Sequence, residues 1–357
     1  MGQPVSRAAL IAVAAAVGVV ALPAAAPAAP ASRGIGAEMP ARAFQAWCSA
    51  SSLCTYSIAD ARGPAALRST RISWIGADER FPRAQVRSAG GPVAYYPMML
   101  SGIAVAVNVP GIKGHNIDLR GTTIAEIFSG VIRNWNDRRI RQTNLRHHMP
   151  RNLPITLCVP RRPSGESWDF SRYLSRTSAA FRRSVGGASL TPRWKAARII
   201  RTPRVTATGA CMAANSGAIT FLPVADATRE GLAHDVVAVG KRERVTLGRG
   251  DAATTVVRNV FTHPTETAIQ KAGAGARKTA GTTIDADLLN STTPGAYPIT
   301  AAGYAVVRRD RSMDQGTRQA LSYFLGTQAQ GMLPGLGYAP LPASLLSRAK
   351  AQLAAVE

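Results

Sequence analysis

The stretch from Ile155 to Leu174 constrains the fold of this chain more than any other. It begins with alternating apolar and small side chains, which predict a strand, and prolines at 160 and 163 then interrupt the pattern. Ser164 is a favourable N-cap, and Glu166 falls in the first turn, where the helix dipole favours negative charge. A strand, a tight turn and a helix N-terminus together are typical of an anion site. An ordinary strand-to-helix connection with surface arginines fits the same residues.

Similar strand–loop–helix patterns occur elsewhere in the chain. Residues 56–58 and 72–75 are predicted strands, and each runs into small or acidic residues. Residues 96–109 are extended and apolar, and the breaks at Pro97 and at Ser101–Gly102 predict two strands there. The fold class is therefore α/β, in which ligands bind at the carboxyl ends of the strands.

The first 30 residues are expected to be a signal peptide rather than part of the fold. Arg7 gives a positive start, residues 8–22 form an apolar run, and small residues follow with cleavage expected near 26–31. The first cysteine is Cys48, so no cysteine is expected to anchor a lipid at the cleavage point. The remainder of the 357 residues is long enough for about two domains. These features predict a secreted or periplasmic protein.

Four cysteines fit an oxidising compartment. The pairs Cys48–Cys54 and Cys158–Cys211 are predicted from three possible connectivities, and free buried thiols stay the alternative. The chain has no Cys-x-x-Cys motif and no paired Cys/His spacing, so neither a metal site nor a cofactor is expected.

The net charge of +23 raises the question of an anionic partner. The basic residues are mostly arginines scattered along the chain, without a basic block or interleaved aromatic side chains. This distribution argues against a specific nucleic-acid function, since base-stacking aromatics are missing. Attraction to an anionic cell-surface polymer remains possible.

Several blocks in the chain, taken in order, resemble the phosphate-binding proteins of the phosphate ABC transporter. They are 34–37 (GIGA), 105–112 (VAVNVPGI), 119–130 (LRGTTIAEIFSG), 132–137 (IRNWND), 164–165 (SG), 297–300 (YPIT) and 337–342 (GYAPLP). These blocks follow the family's order and are spread over most of the chain after the signal peptide. Together they make the resemblance specific, although each block alone is weak.

The resemblance implies a two-lobed periplasmic-binding-protein-like fold of the class II type. One lobe would combine residues 33–99 with 297–357, and the other would span 100–296. The hinge strands would lie near Pro97 and Tyr297, and the lobes would close on a ligand in the cleft between them. Such proteins are not enzymes. They are expected to act as monomers and to deliver a small ligand, here phosphate or another solute, to an ABC transporter permease.

The resemblance also implies the ligand-binding residues of the first three loops. Glu38 and Met39 stand where the family has a Thr or Ser and a Phe, and Asp60 stands where it has a serine. Asp78 matches the aspartate that accepts the proton of hydrogen phosphate. Only one of these four positions therefore keeps the family's residue.

The fourth loop departs from the family pattern Arg-x-Asp-Gly-Ser-Gly-Thr. It contributes Arg161, Arg162, Ser164, Gly165 and Glu166 to the predicted site, and only Ser164 and Gly165 match. Arg162 replaces the aspartate and Glu166 replaces the last threonine.

The replaced residues change the expected ligand. A carboxylate at 4 Å from another negative charge costs about 4 kcal/mol at an effective dielectric constant near 20, whereas a micromolar ligand gains only about 8 kcal/mol in total. Phosphate could bind if Arg161 and Arg162 turn inward. The alternatives are a cationic or zwitterionic ligand, with the helix N-terminus holding a carboxylate, and a degenerate pocket.

The predicted function is that of a secreted solute-binding protein with phosphate or an altered ligand. The alternative is a secreted non-transport binding protein on the same scaffold, whose basic surface binds anionic cell-wall or other polymers. An enzyme is not expected, because no serine lies in a Gly-x-Ser-x-Gly motif or near a histidine in any motif.

Overall fold

The structure is a computed structural model that describes Gly2 and residues 32–59, 63–248, 253–276 and 287–355. The predicted signal peptide, residues 1–30, lies outside the described residues apart from Gly2. The fold is formed by the unit Ala31–Glu357. Among the described residues, no helix combines the length and apolar character that a membrane span requires.

The strands of the described ranges form two sheets. They are β1 (Ser32–Gly36), β2 (Cys54–Ile58), β3 (Trp74–Ala77), β4 (Val93–Val107), β5 (Asp118–Arg120), β6 (Thr156–Pro160), β7 (Arg198–Thr202), β8 (Ala218–Pro223), β9 (Ala238–Leu247), β10 (Thr254–Thr262) and β11 (Thr300–Arg308). The larger sheet has the order β2-β1-β3-β11-β4-β8-β6-β7, and the smaller has the order β10-β9-β5.

The helices of the same ranges lie between these strands. They are α1 (Ala41–Ser51), α2 (Arg83–Ser88), α3 (Gly121–Phe128), α4 (Arg138–Arg141), α5 (Gly165–Thr177), α6 (Ala179–Ser184), α7 (Thr208–Ala214), α8 (Val224–Arg229), α9 (Glu266–Ala274), α10 (Gln315–Phe324), α11 (Thr327–Met332) and α12 (Ala343–Ala354). This alternation confirms the predicted α/β class.

Strand β4 runs through both halves of the larger sheet. Residues 93–102 pair with β11, and residues 103–107 pair with β8. The sequence predicted two strands here, but the structure shows one strand that is buried at every position. Pro97 is accommodated because the register against β11 shifts between Gly303 and Tyr304, and such a bulge tolerates a residue without a backbone N–H.

Parallel strands lie on either side of these central antiparallel strands. On one side β1 pairs with β2 and β3, and on the other side β6 pairs with β7 and β8. The carboxyl ends of five of these parallel strands carry the loops of the site described below. Gly34 and Gly36 belong to β1, and Gly34 is needed there because a Cβ would overlap the indole of Trp74.

Each side of the larger sheet has its own group of aromatic side chains. The ring centroids of Phe44 and Trp74 are 4.7 Å apart, and those of Trp47 and Phe324 are 4.9 Å apart. On the other side, the rings of Phe170 and Phe221 stack at 4.4 Å. Both aromatic groups belong to one continuous apolar core, which the buried side chains of β4 and β11 also join.

Both predicted disulfides are present. Cys48 pairs with Cys54 and joins α1 to β2. Cys158 pairs with Cys211 and joins β6 to α7.

Candidate functional site

Five loops that follow parallel strands surround a cavity of about 270 Å³. Each loop starts at the carboxyl end of its strand, where α/β folds bind their ligands. The lining residues that the five loops contribute are 37–38 after β1, 59 after β2, 78–79 after β3, 162–166 after β6 and 204–205 after β7. This cavity is the candidate ligand cleft.

The structure brings together most of the residues that the sequence predicted for the ligand site. Six of them line the cleft, namely Glu38, Asp78, Arg162, Ser164, Gly165 and Glu166. Asp60 lies outside the described residues.

Two predicted residues do not line this cleft. The side chain of Met39 is buried in the apolar core, and its carbonyl accepts a hydrogen bond of 2.6 Å from the hydroxyl of Tyr338. Arg161 is exposed, and its amide donates to the carbonyl of Thr202, which extends the pairing of β6 with β7.

The N-terminus of α5 faces the cleft, as the sequence predicted. The hydroxyl of Ser164 accepts a hydrogen bond of 3.1 Å from the amide of Ser167 and donates one of 3.0 Å to the hydroxyl of Ser167. This is the expected N-cap arrangement. Gly165 follows at the first position of the helix, where a Cβ would overlap the carboxylate of Asp78.

Glu166 is the most unusual group of the site. Only 2% of its surface is exposed, although it is an acidic residue that lines the cleft. Its carboxylate accepts a hydrogen bond from its own backbone amide. Its Oε1 is buried without a hydrogen-bond partner in the described part of the chain. The pKa of Glu166 lies well above its usual value, mainly because the group is buried and secondly because the charge of Asp78 is close.

Two further acids lie near Asp78, and one of them, Glu79, itself lines the cleft. Burial, and then the charges of Asp78, Asp169 and Glu166, raise the pKa of Glu79 to about 10. Burial and the charge of Asp78 raise the pKa of Asp169 as well. Glu79 and Asp169 also line a second cavity, of about 660 Å³, on the side of β4 and β11. Asp287 and Arg172 line this cavity too. Asp287 forms ion pairs of 3.0 Å with Arg172 and 2.6 Å with Arg176.

Glu38 is held by groups from the loop after β7. The hydroxyl of Thr206 donates a hydrogen bond of 3.0 Å to Glu38 Oε1, and the guanidinium of Arg204 lies 3.8 Å from the same oxygen. Sequence reasoning missed both residues, because it did not identify β7. The signal was a short apolar pair, Ile199–Ile200, followed by a proline that ends the strand.

These features define a class of protein. The α/β fold has two lobes, and its strand-end loops enclose a small cleft, as in the substrate-binding proteins of periplasmic-binding-protein type. A family described as "PBP superfamily domain" matches residues 73–327, so the chain belongs to that superfamily. The family and the fold are those of substrate-binding proteins, and a solute-binding function follows from them.

The chain is also similar to named phosphate-binding proteins. It is 24% identical to the phosphate-binding protein PstS of Xylella fastidiosa (strain 9a5c) over 302 residues, which cover 83% of this chain and 75% of that protein. The phosphate-binding protein PstS of Haemophilus influenzae is 26% identical over 263 residues, with coverage of 72% and 71%. A solved structure of a phosphate-binding protein from Stenotrophomonas maltophilia superposes with a TM-score of 0.64 at 17% identity, covering 90% of this chain and 94% of that chain.

Proposed function

We propose that this chain is an exported solute-binding protein that takes one small polar solute into the cleft and presents it to an ABC transporter permease. The observation that carries the proposal is the convergence of five strand-end loops on one cavity. The similarity to phosphate-binding proteins supports the same class of function.

The proposed lobes are residues 33–99 with 297–357, and residues 100–296, with β4 and β11 at the hinge. Glu38 lies in the first lobe, whereas Thr206 and Arg204 lie in the second. Their contacts therefore span the cleft and would stabilise a closed form. Closure over a bound solute is the usual response of such proteins.

The groups around the cleft favour a solute other than orthophosphate. Glu38, Asp78 and Glu166 all line it, and Glu166 occupies the first turn of α5. Orthophosphate would have to enter beside these acidic groups. Each one that is ionised repels an anion a few ångströms away by about 4 kcal/mol at an effective dielectric constant near 20. Glu166 is not counted among them, because burial raises its pKa.

The test is to identify the solute that the protein retains. The mature chain is purified from an exporting host under native conditions. Its mass in native mass spectrometry is then compared with the mass of the unfolded chain. We expect a retained small molecule, which is then identified in the released fraction. Ala37→Trp places an indole in the cleft and should lose the molecule, whereas Ala351→Trp on the exposed face of α12 should retain it.

Calorimetry with orthophosphate on the solute-free protein tests the hypothesis that the bound solute is orthophosphate. The proposal of an altered solute predicts no heat at millimolar phosphate. The function itself would be wrong if the native protein retained no solute and no metabolite fraction raised its melting temperature. Export by residues 1–30, a monomeric state and an interaction with anionic polymers stay predictions from the sequence.

A further inference from the structure

We propose that the cleft binds the cationic group of a small solute, an amine or a guanidinium, with Glu166 and Asp78 as its carboxylate ligands. This inference rests on the proposed function and names the class of solute that the cleft selects.

The anion site at the N-terminus of α5 is already filled by the chain itself. The carboxylate of Glu166 accepts the hydrogen bond of its own backbone amide, and Asp78 lies directly against Gly165. The hydroxyl of Ser164 is engaged with Ser167 as both acceptor and donor. The amides of Glu166 and Ser167 and the hydroxyl of Ser164 therefore bond to groups of the chain itself rather than to an incoming anion.

Glu166 gives the site a buried carboxyl oxygen that is not yet satisfied. Glu166 is 2% exposed and lines the cleft, and its Oε1 finds no partner within the described ranges. A buried carboxyl oxygen without a hydrogen-bond partner is unfavourable, and a ligand that pairs with it removes that cost. Ammonium and guanidinium groups carry hydrogen-bond donors and a positive charge. They can therefore donate to Oε1 and stabilise Glu166 in its ionised form.

The charged groups with the largest effect on the pKa of Glu166 are acidic, and Arg42 of α1 lies beside one of them, Asp226. Asp78 approaches from the loop after β3, Glu38 from the loop after β1, and Asp226 from α8, and each of them disfavours ionisation of Glu166. The arginines of the cleft do not offset them at this point, since Arg204 lies beside Glu38 and Arg162 is exposed at the rim. A cation entering the cleft would let these carboxyl groups ionise together.

The cavity fits a small organic cation better than a metal ion or a polymer. Among the described residues, no group of three or more His, Cys, Asp or Glu side chains is placed to hold a metal ion. A volume of about 270 Å³ lies near the lower end of the range for small-molecule pockets. Solutes of the size of a diamine or a basic amino acid match this volume.

The experiment is calorimetry on the solute-free mature protein with four probes: putrescine, agmatine, L-arginine and orthophosphate. We expect at least one of the three amines to bind and orthophosphate not to. Glu166→Gln should weaken the bound amine by about tenfold or more, equivalent to about 1.4 kcal/mol. Glu266→Gln, on the exposed start of α9, should leave its affinity unchanged.

Two further measurements separate a ligand carboxylate from a structural one. Binding of a cation ionises Glu166 and releases a proton, so the observed heat should change with the ionisation enthalpy of the buffer, and the affinity should rise with pH. These effects should be smaller in Glu166→Gln. If that variant does not fold, Asp78→Asn is measured in the same titrations and should weaken the binding of the amine.

The outcomes distinguish this inference from the proposed function. Tight binding of orthophosphate without binding of any amine, or retention of a neutral solute, would overturn the cationic ligand and leave the solute-binding function intact. Binding of no probe, together with no retained solute, would overturn both. An amine that binds equally well to wild type and Glu166→Gln would also contradict the inference.

Discussion

The carboxylate of Asp78 lies against the α-carbon of Gly165, where a methyl group would overlap it. This contact joins the loop after β3 to the first residue of α5, although the two residues belong to different proposed lobes. It leaves no space at this point for a larger residue. The close approach of the two lobes at the cleft therefore depends on a glycine.

Replacing Gly165 with alanine should destabilise the protein. The backbone of Gly165 is not in the left-handed region, so alanine is disfavoured only by its overlap with Asp78, and overpacking of this kind costs about 1–3 kcal/mol. Gly331 in α11 is the control, because a Cβ there meets no atom within 4 Å, and alanine there should be neutral or stabilise by up to about 1 kcal/mol. Urea unfolding of both variants measures the difference. Equal effects at the two positions would contradict the contact.

The raised pKa of Glu79 predicts a pH dependence of stability. Between the ordinary pKa of 4.5 and the raised value of about 10, the folded protein binds more protons at this group than the unfolded chain. Its contribution to the free energy of unfolding therefore falls as pH rises, by up to about 1.4 kcal/mol per pH unit.

Glu79→Gln removes that contribution. Relative to wild type, the variant should be more stable at about pH 8 than at about pH 5, by roughly 2 kcal/mol or more. Urea titrations at the two pH values measure this, with Glu266→Gln as the exposed control. A constant difference between Glu79→Gln and wild type would show that Glu79 ionises normally.

The two disulfides should differ in their contribution to stability. Cys158–Cys211 spans 53 residues in sequence, whereas Cys48–Cys54 spans 6. The loop-entropy relation gives about 4 kcal/mol for the long loop and about 2 kcal/mol for the short one. Thermal unfolding of the two double-alanine variants should therefore show the larger loss for Cys158→Ala/Cys211→Ala. The reverse order would show that the entropy of the unfolded chain does not control how much each disulfide stabilises the protein.

The hydrogen bond from Thr206 to Glu38 should favour closure. Thr206→Val removes the hydroxyl at nearly constant volume, and a hydrogen bond to a charged group contributes about 1.5–3 kcal/mol. We expect a larger radius of gyration by small-angle X-ray scattering and weaker solute binding.

The control for that experiment is Thr246→Val, because Thr246 forms its hydroxyl contact in the exposed β9–β10 pair. It should change neither measurement. An unchanged radius of gyration in Thr206→Val would mean that the contact does not hold the lobes together.

Much of the architecture could be predicted from local pattern. The strand of residues 156–160, the N-cap at Ser164 and the helix that follows all depend on contacts within a few residues, so the sequence contains them directly. The two disulfides were also predicted, since Cys48 and Cys54 are close in sequence, which leaves Cys158 to pair with Cys211. The single strand β4 was missed, because the bulge that accommodates Pro97 is set by the partner strand β11.

The sequence by itself determined the fold class, the position of the cleft loops and their acidic character. Only the tertiary structure decided which charged groups meet there. Sequence reasoning proposed Arg161 and Arg162 as the balancing cations, whereas Glu38 contacts Thr206 across 168 residues and also Arg204. Met39, predicted for the site, lies in the core instead. The physical reason is that side-chain pairing across a cleft depends on how distant strands pack and align, and local periodicity carries no information on that packing.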